Sequence, residues 1–234
     1  EQAVCAASAV CGFRAGGERG GAVGVIFMDR NLKWVFIEEI LFRRDMAHLA
    51  FKRLRKIASV DENAWPSSRN IDIGFESIYA FLHHVSGIAL VLFPSGSGGD
   101  ANKSTNATSR LRGEYLRQLL GIPDNHMLSD KRLRNHIAHM DERIDSWYKN
   151  STNKNISRLV WENRSGIGNF AASDQFEHYM PSEDIFLFRG EEYKIGAIWD
   201  AVVATGELAY PHSEMAYREA RLSGFNSRFK PTPL

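Results

Sequence analysis

Hydrophobic positions fall in two kinds of pattern along this chain of 234 residues. Between 31 and 57, Val35, Phe36, Ile40, Phe42, Ala47, Phe51 and Leu54 recur at helical spacing, with charged residues filling much of the other side. That pattern predicts a long amphipathic helix. "SVDENAWPSSRN" (59–70) has the composition of a loop. From 72 to 93, Phe, Ile, Leu and Tyr cover nearly the whole circumference, which predicts the most buried helix of the fold, stopped by Pro94. "SGSGGDANKSTNATS" (95–109) reads as a flexible low-complexity loop. A basic helix over 109–121 follows, closed by Gly121 and Pro123, and a further helix over 130–149 starts behind Ser129 as N-cap.

Beyond 150 the pattern changes. Residues 150–183 are polar, rich in Asn and Ser and irregular, with a short strand at 157–161. "IFLFRGEEYKI" (185–195) predicts strand, glycine turn and strand. Residues 196–209 and 212–222 read as two shorter helices, and Pro231 and Pro233 mark a loose tail. The fold class expected is mainly α: a helical bundle of about four principal helices with a small C-terminal β-hairpin and extra helices. Three regions follow from the composition: an extension over 1–27 unlike the rest, a bundle over 28–150, and an elaboration over 151–234 packed on it.

Composition narrows the function classes. Hydrophobic residues make up 44% and charged residues 24%, enough for a real core. A net charge of +1 gives no global field toward nucleic acid or membrane. Locally, Arg30 to Lys56 holds eight Lys/Arg against three Asp/Glu, four of them bunched at Lys52, Arg53, Arg55 and Lys56. A basic helix end suits a polyanion, and cations there also complement the helix dipole. Cys5 and Cys11 do not form a CxxC pair, so neither a disulfide framework nor a Cys-ligated zinc site is expected. No apolar run approaches the roughly 18 residues of a bilayer span, and no secretion signal is visible; a cytoplasmic protein with no membrane partner is expected.

The densest polar cluster is "KRLRNHIAHMDERIDSW" (131–147). At about 100° per residue from Leu133, the residues Leu133, Ile137, Met140, Ile144 and Trp147 form one core-facing stripe. Asn135 falls near 200°, His139 near 240° and Glu142 near 180°, away from that core, with Arg134 near 100° and His136 near 300° on the flanks. Asn135 and His139 are one turn apart. Arg134 lies about 140° from His139. It shares a site with it only if its side chain curls back, the helix start is distorted, or a second chain closes the site. Imidazole beside guanidinium suits phosphodiester chemistry. Imidazole titrates near neutral pH and moves protons, while guanidinium offers fork-shaped donors to phosphoryl oxygens. RNA carries its own nucleophile, so no metal is required. The plainer reading is a solvated face, with Arg134 paired to Asp130 or Asp141 and His139 beside Glu142 or Arg143.

"LRNHIAHMDER" resembles the signature of the HEPN domains, all-helical domains with an R-x(4–6)-H motif and a polar residue directly after the Arg. Here Arg134, Asn135 and His139 match it, on a late helix of a bundle. The resemblance covers mainly 31–150. It implies a metal-independent endoribonuclease, of the sort found in toxin–antitoxin pairs and antiviral defence, with two protomers lining one cleft. His139 would be general base or acid, Arg134 the phosphate stabiliser and Asn135 the orienting group. His136, Glu142 and Arg143 would touch the substrate, joined by Lys52 and Arg53. The partners implied are RNA, a second copy of the chain and an antitoxin, with no cofactor. The alternative is a catalytically inactive scaffold of the same type that binds RNA or a partner.

Other candidates carry less. His136 and His139 have zinc-chelating spacing, but there is no HExxH and Asp141 would have to swing round the helix to be a third ligand, so no metal is expected. "RAGGERGGAVG" (14–24) lacks the Lys-Ser/Thr of a phosphate loop. Of His83 and His84, one should pack in the core and the other face solvent. Glu76 and Tyr79 are not singled out by any pattern. Tyr193 and Trp199 are expected to be core rather than base-stacking platforms.

Overall fold

The computed structural model describes residues 28, 30–59, 67–94, 103–132, 135, 139–152, 160–161, 174, 176–215 and 217–218. The extension 1–27, most of the loop at 60–66, and Arg134 and His136 lie outside them. Five α-helices are described: α1 (Arg30–Ala58), α2 (Ser68–Leu92), α3 (Lys103–Leu120), α4 (Met140–Asn150) and α5 (Ile195–Ala209). A small sheet joins them, ordered β1 (Val160–Trp161), β2 (Glu177–Met180), β3 (Ile185–Phe188) and β4 (Glu191–Lys194). β1 runs parallel to β2, whereas β2–β3 and β3–β4 are antiparallel. The fold is therefore mainly helical, and its sheet joins the expected hairpin to β1, which falls in the strand expected at 157–161, through β2, which the pattern did not predict.

α1 and α2 form the central pair, and α5 packs on α1. Ile37, Ile40, Ala47 and Leu54 of α1 meet Phe75, Ile78, Phe81 and Leu82 of α2 in one contiguous core that also takes in Ile195 and Val202 of α5. Most of the expected face of α1 points inward: Ile40, Ala47 and Leu54 are buried, and Phe36 and Phe51 pack against the core. Ile37 and Leu41 are buried, while Val35 and Phe42 stand 62% and 56% exposed. Arg43 lies across Gly87 of α2 and Arg44 across Gly206 of α5, where an added side-chain carbon would push the arginine aside. α2 is long and apolar enough to cross a bilayer by length and composition, and 56% of its apolar window is buried inside the fold.

Several boundaries differ from the sequence expectation. α2 starts at Ser68 rather than 72, because the Ser67 hydroxyl accepts the Asn70 N–H (3.3 Å) and caps it. α3 starts at Lys103, inside the stretch expected to be loop. It ends as expected at Gly121, whose φ of 66° needs no side chain. There Ile122 N–H returns to Arg117 O (2.9 Å) and Gly121 N–H to Gln118 O (3.3 Å). β2 lies in the region expected to be irregular. The strand–turn–strand at 185–195 is present, turning on Arg189 (φ 52°) and Gly190 (φ 80°). After α5 come a 3-10 turn, Tyr210–His212, and then helical residues at 214–215 and 217–218, within the range 212–222 expected to be a second short helix.

α3 is held against the end of α2 by chemistry that its basic composition supplies. Arg117 donates from Nη1 to Leu92 O (2.5 Å), a cation on a carbonyl at the C-terminal end of α2. Its guanidinium carbon also sits 4.9 Å from the Phe93 ring centroid. Gly113 makes the approach possible, because a Cβ there would lie 2.5 Å from Pro94 Cδ and 2.7 Å from Leu92 O. Neither neighbour is the free end of a side chain. Gly113→Ala is therefore expected to cost about 1–3 kcal/mol through overpacking, despite a helix-propensity gain of up to about 1 kcal/mol. A lowered urea midpoint with unchanged slope is the expected readout.

Candidate functional site

The polar segment 130–147 is not one continuous helix. His139 has φ −123° and ψ 45°, outside the helical range, and α4 begins afresh at Met140. The hydrogen-bond ladder survives the bend: His139 N–H reaches Asn135 O (3.1 Å) and Arg143 N–H reaches His139 O (3.1 Å). Asp141 and Glu142 occupy the first turn of α4, where carboxylates complement the positive end of a helix. At the front of the segment the side-chain cap is Asp130, whose Oδ1 accepts the Arg132 N–H (2.9 Å), not Ser129, which ends the 3-10 turn Met127–Ser129. Trp147 is buried as expected, but Ile144 is 37% exposed and does not join the core stripe. A regular 100° step thus does not carry through His139.

The bend leaves His139 on the surface with its side chain 53% exposed. Glu142 Oε1 lies 3.6 Å from His139 Nδ1, ion-pair range but too long for a hydrogen bond. Nε2 has no hydrogen-bond partner among the described residues, and neither has the side-chain amide of exposed Asn135. Asn135 and His139 are thus one turn apart and open to solvent, as the spacing predicted. Glu142 is beside them. Arg143, half-buried, has a buried Nε without a hydrogen-bond partner.

Lys52 and Arg53 sit elsewhere. α1 packs on α2 and α5, and α4 is not among its main neighbours. Arg53 is paired with Glu76, and Arg55 bonds Asp184 Oδ2 (2.8 Å). Lys52 stays exposed. Of the other candidates, His83 is exposed and His84 half-buried, Tyr79 donates to buried Glu177, Tyr193 is core, and Trp199 stacks on Phe51 and His48. Among the described residues no group of three or more His, Cys, Asp or Glu could hold a metal ion.

Cations missed by the motif reading lie closer to the segment. A polar cleft of about 420 Å³ is lined by Arg110, Arg117, Ser129 and Lys131 together with the carboxylates Glu114 and Asp124. Arg117 is bound to Asp124 (3.0 Å). Arg110 and Lys131 make no ion pair among the described residues. Arg132 lies just beyond, tied to Asp130 Oδ2 (2.7 Å) and near Glu191 Oε2 (3.7 Å). The hydrogen bond and charge of Asp130 push the Arg132 guanidinium above its ordinary value. A Lys-Arg step directly before the motif was the available sequence signal.

The turn that leads into the segment carries a pH-sensitive histidine. His126 Nδ1 accepts the Leu128 N–H (3.3 Å), and its ring lies parallel to that of Phe93, with centroids 6.4 Å apart. Burial lowers the affinity of this imidazole for its proton. An unfolded histidine titrates near about 6.5. The unfolded chain therefore binds the extra proton first as pH falls, so the stabilisation is full above that value and is lost as pH drops through the lower folded-state value. His126→Asn keeps an acceptor for Leu128 N–H and removes the titration. Its urea midpoint should fall less steeply between pH 7.5 and 5 than that of the parent. His84 and His212, also lowered by burial, keep part of the slope.

No protein-family model, no curated protein and no solved structure matches the chain.

Proposed function

We propose that the chain is a metal-independent endoribonuclease of the HEPN type, acting on RNA in the cytoplasm as a homodimer, in a toxin–antitoxin or antiviral role. The observation that carries the reading is the solvent-open pair Asn135 and His139, one turn apart at a helix bend with Nε2 uncommitted. Arg110 and Lys131, which make no ion pair among the described residues, share a cleft beside the same segment with Glu114 and Asp124 and add two cationic contacts for a phosphate chain.

In this reaction the imidazole of His139 takes the proton of a ribose 2′-OH. The 2′-oxygen then attacks the neighbouring phosphorus. The P–O5′ bond breaks, and the leaving 5′-oxygen takes a proton from an imidazolium, from the same or the paired protomer. The guanidinium of Arg134 balances the charge gathering on the non-bridging oxygens. The products are a 2′,3′-cyclic phosphate and a 5′-hydroxyl end.

The test is incubation of the purified chain with a labelled, unstructured RNA in excess EDTA. Cleavage products that end in 2′,3′-cyclic phosphate are expected. RNA retained in a salt-sensitive manner without product would move the assignment to a binding scaffold. Neither retention nor product would remove RNA from the account.

A further inference from the structure

A cavity of about 320 Å³ lies between α2, the 3-10 turn Met127–Ser129, β4 and α5. Its volume is at the small end of ligand pockets. Val85 and Ala89 of α2, Leu128 of the turn and Ile198 of α5 line it and are buried, so its floor is apolar. Asp130, Arg132, Glu192 and Lys194 line it too and are exposed, so its mouth is charged.

The charges at the mouth are not evenly committed. Arg132 holds Asp130 through Nε and Nη2 (3.1 and 2.7 Å to Oδ2) and lies 3.7 Å from Glu191 Oε2. Tyr193 OH also donates to that Glu191 oxygen (3.0 Å). Asp130 and Glu191 are thereby engaged by protein donors, and the lining carboxylate Glu192 also has a partner in the fold, while Arg132 keeps 67% of its side chain exposed. The Lys194 ammonium has no ion pair among the described residues. Half-buried Ser86 also lines the cavity, and its hydroxyl makes no hydrogen bond among them. An apolar floor, an accessible guanidinium, and an ammonium and a hydroxyl without partners among the described residues together recognise one kind of molecule.

We infer that this cavity binds a small organic anion: a compact, flat apolar body of one or two rings bearing a single carboxylate or phosphate. The body rests against Val85, Ala89 and Ile198. The anionic group accepts from Lys194 Nζ, with Arg132 as second donor. A neutral molecule of the same shape would keep the apolar contact and lose the charge-assisted hydrogen bonds. This inference does not depend on the ribonuclease reading.

The experiment uses the full chain, labelled for amide NMR, with indole-3-acetate and its neutral isostere indole-3-acetamide as probes. Indole-3-acetate should shift the amides of Val85, Ala89 and Ile198 and bind at least tenfold more tightly than the acetamide. Lys194→Gln, on the exposed strand end, should bring the two affinities together without lowering stability. Ala197→Trp, at a half-buried cavity wall, should abolish both, and an unchanged unfolding midpoint would show that it still folds. Equal affinities of the parent chain for the two probes, an unchanged preference in Lys194→Gln, or shifts confined to another face would each overturn the assignment.

Discussion

Phe176→Ala will lower the stability of the whole chain by about 3–5 kcal/mol. Phe176 is almost fully buried and forms the middle of an aromatic chain. Its ring centroid lies 5.2 Å from Trp147 of α4 and 5.1 Å from Phe188 of β3. Phe188 continues to Phe186 at 6.3 Å, and Phe186 meets Phe75 of α2 edge-on at 6.4 Å. Truncation removes the transfer free energy of a ring and leaves a void between sheet and helix that rigid neighbours fill poorly. The loss is large against the 5–15 kcal/mol typical of a folded domain. It falls first on α4, which Trp147 anchors, so tryptophan emission should shift to the red at lower urea than the loss of helical signal. Phe176→Leu should cost less than half as much. An alanine variant within 1 kcal/mol of the parent would show that the aromatic chain is not what seats α4.

His139→Ala is expected to reduce RNA cleavage by about 10²–10⁴-fold, the usual contribution of one general acid or base. The fall should appear in kcat with little change in KM, because the imidazole acts on the proton in flight rather than on the bound strand. The side chain is half exposed and makes no hydrogen bond among the described residues, so stability should stay within about 0.5 kcal/mol of the parent. Undiminished cutting by this variant would remove His139 from the mechanism. Lys131→Ala supplies the contrast: weaker binding and a smaller salt dependence, with kcat near that of the parent.

The long helices could be read from the sequence because their apolar periodicity is imposed by burial against one another. Not all of the inward residues of α1 could, since Ile37 and Val35 are both compatible with a helical stripe and only the neighbours choose between them. The first turns of α3 are Ser-, Thr- and Asn-rich and read as loop. They become helical because extension from an anchored helix is far cheaper than nucleation, and Leu116 and Leu120 anchor it. β2 gave no alternating signal because all four of its residues are buried, two of them the polar Glu177 and His178. The positions of Asn135 and His139 were visible from helical spacing. The bend between them and α4 was not, although the acidic pair Asp141–Glu142 marks a fresh helix start. The cavity drew its walls from four separated segments, and nothing in their order along the chain announces it.

The crossing of Arg43 over Gly87 and of Arg44 over Gly206 has an evolutionary corollary. Each long cation occupies the volume that its opposite position gives up by lacking a side chain. Drift at either end is therefore coupled to drift at the other. In divergent descendants of this chain, positions 43 and 87 should change together, large with small, and so should 44 and 206, while the two couples vary independently of one another.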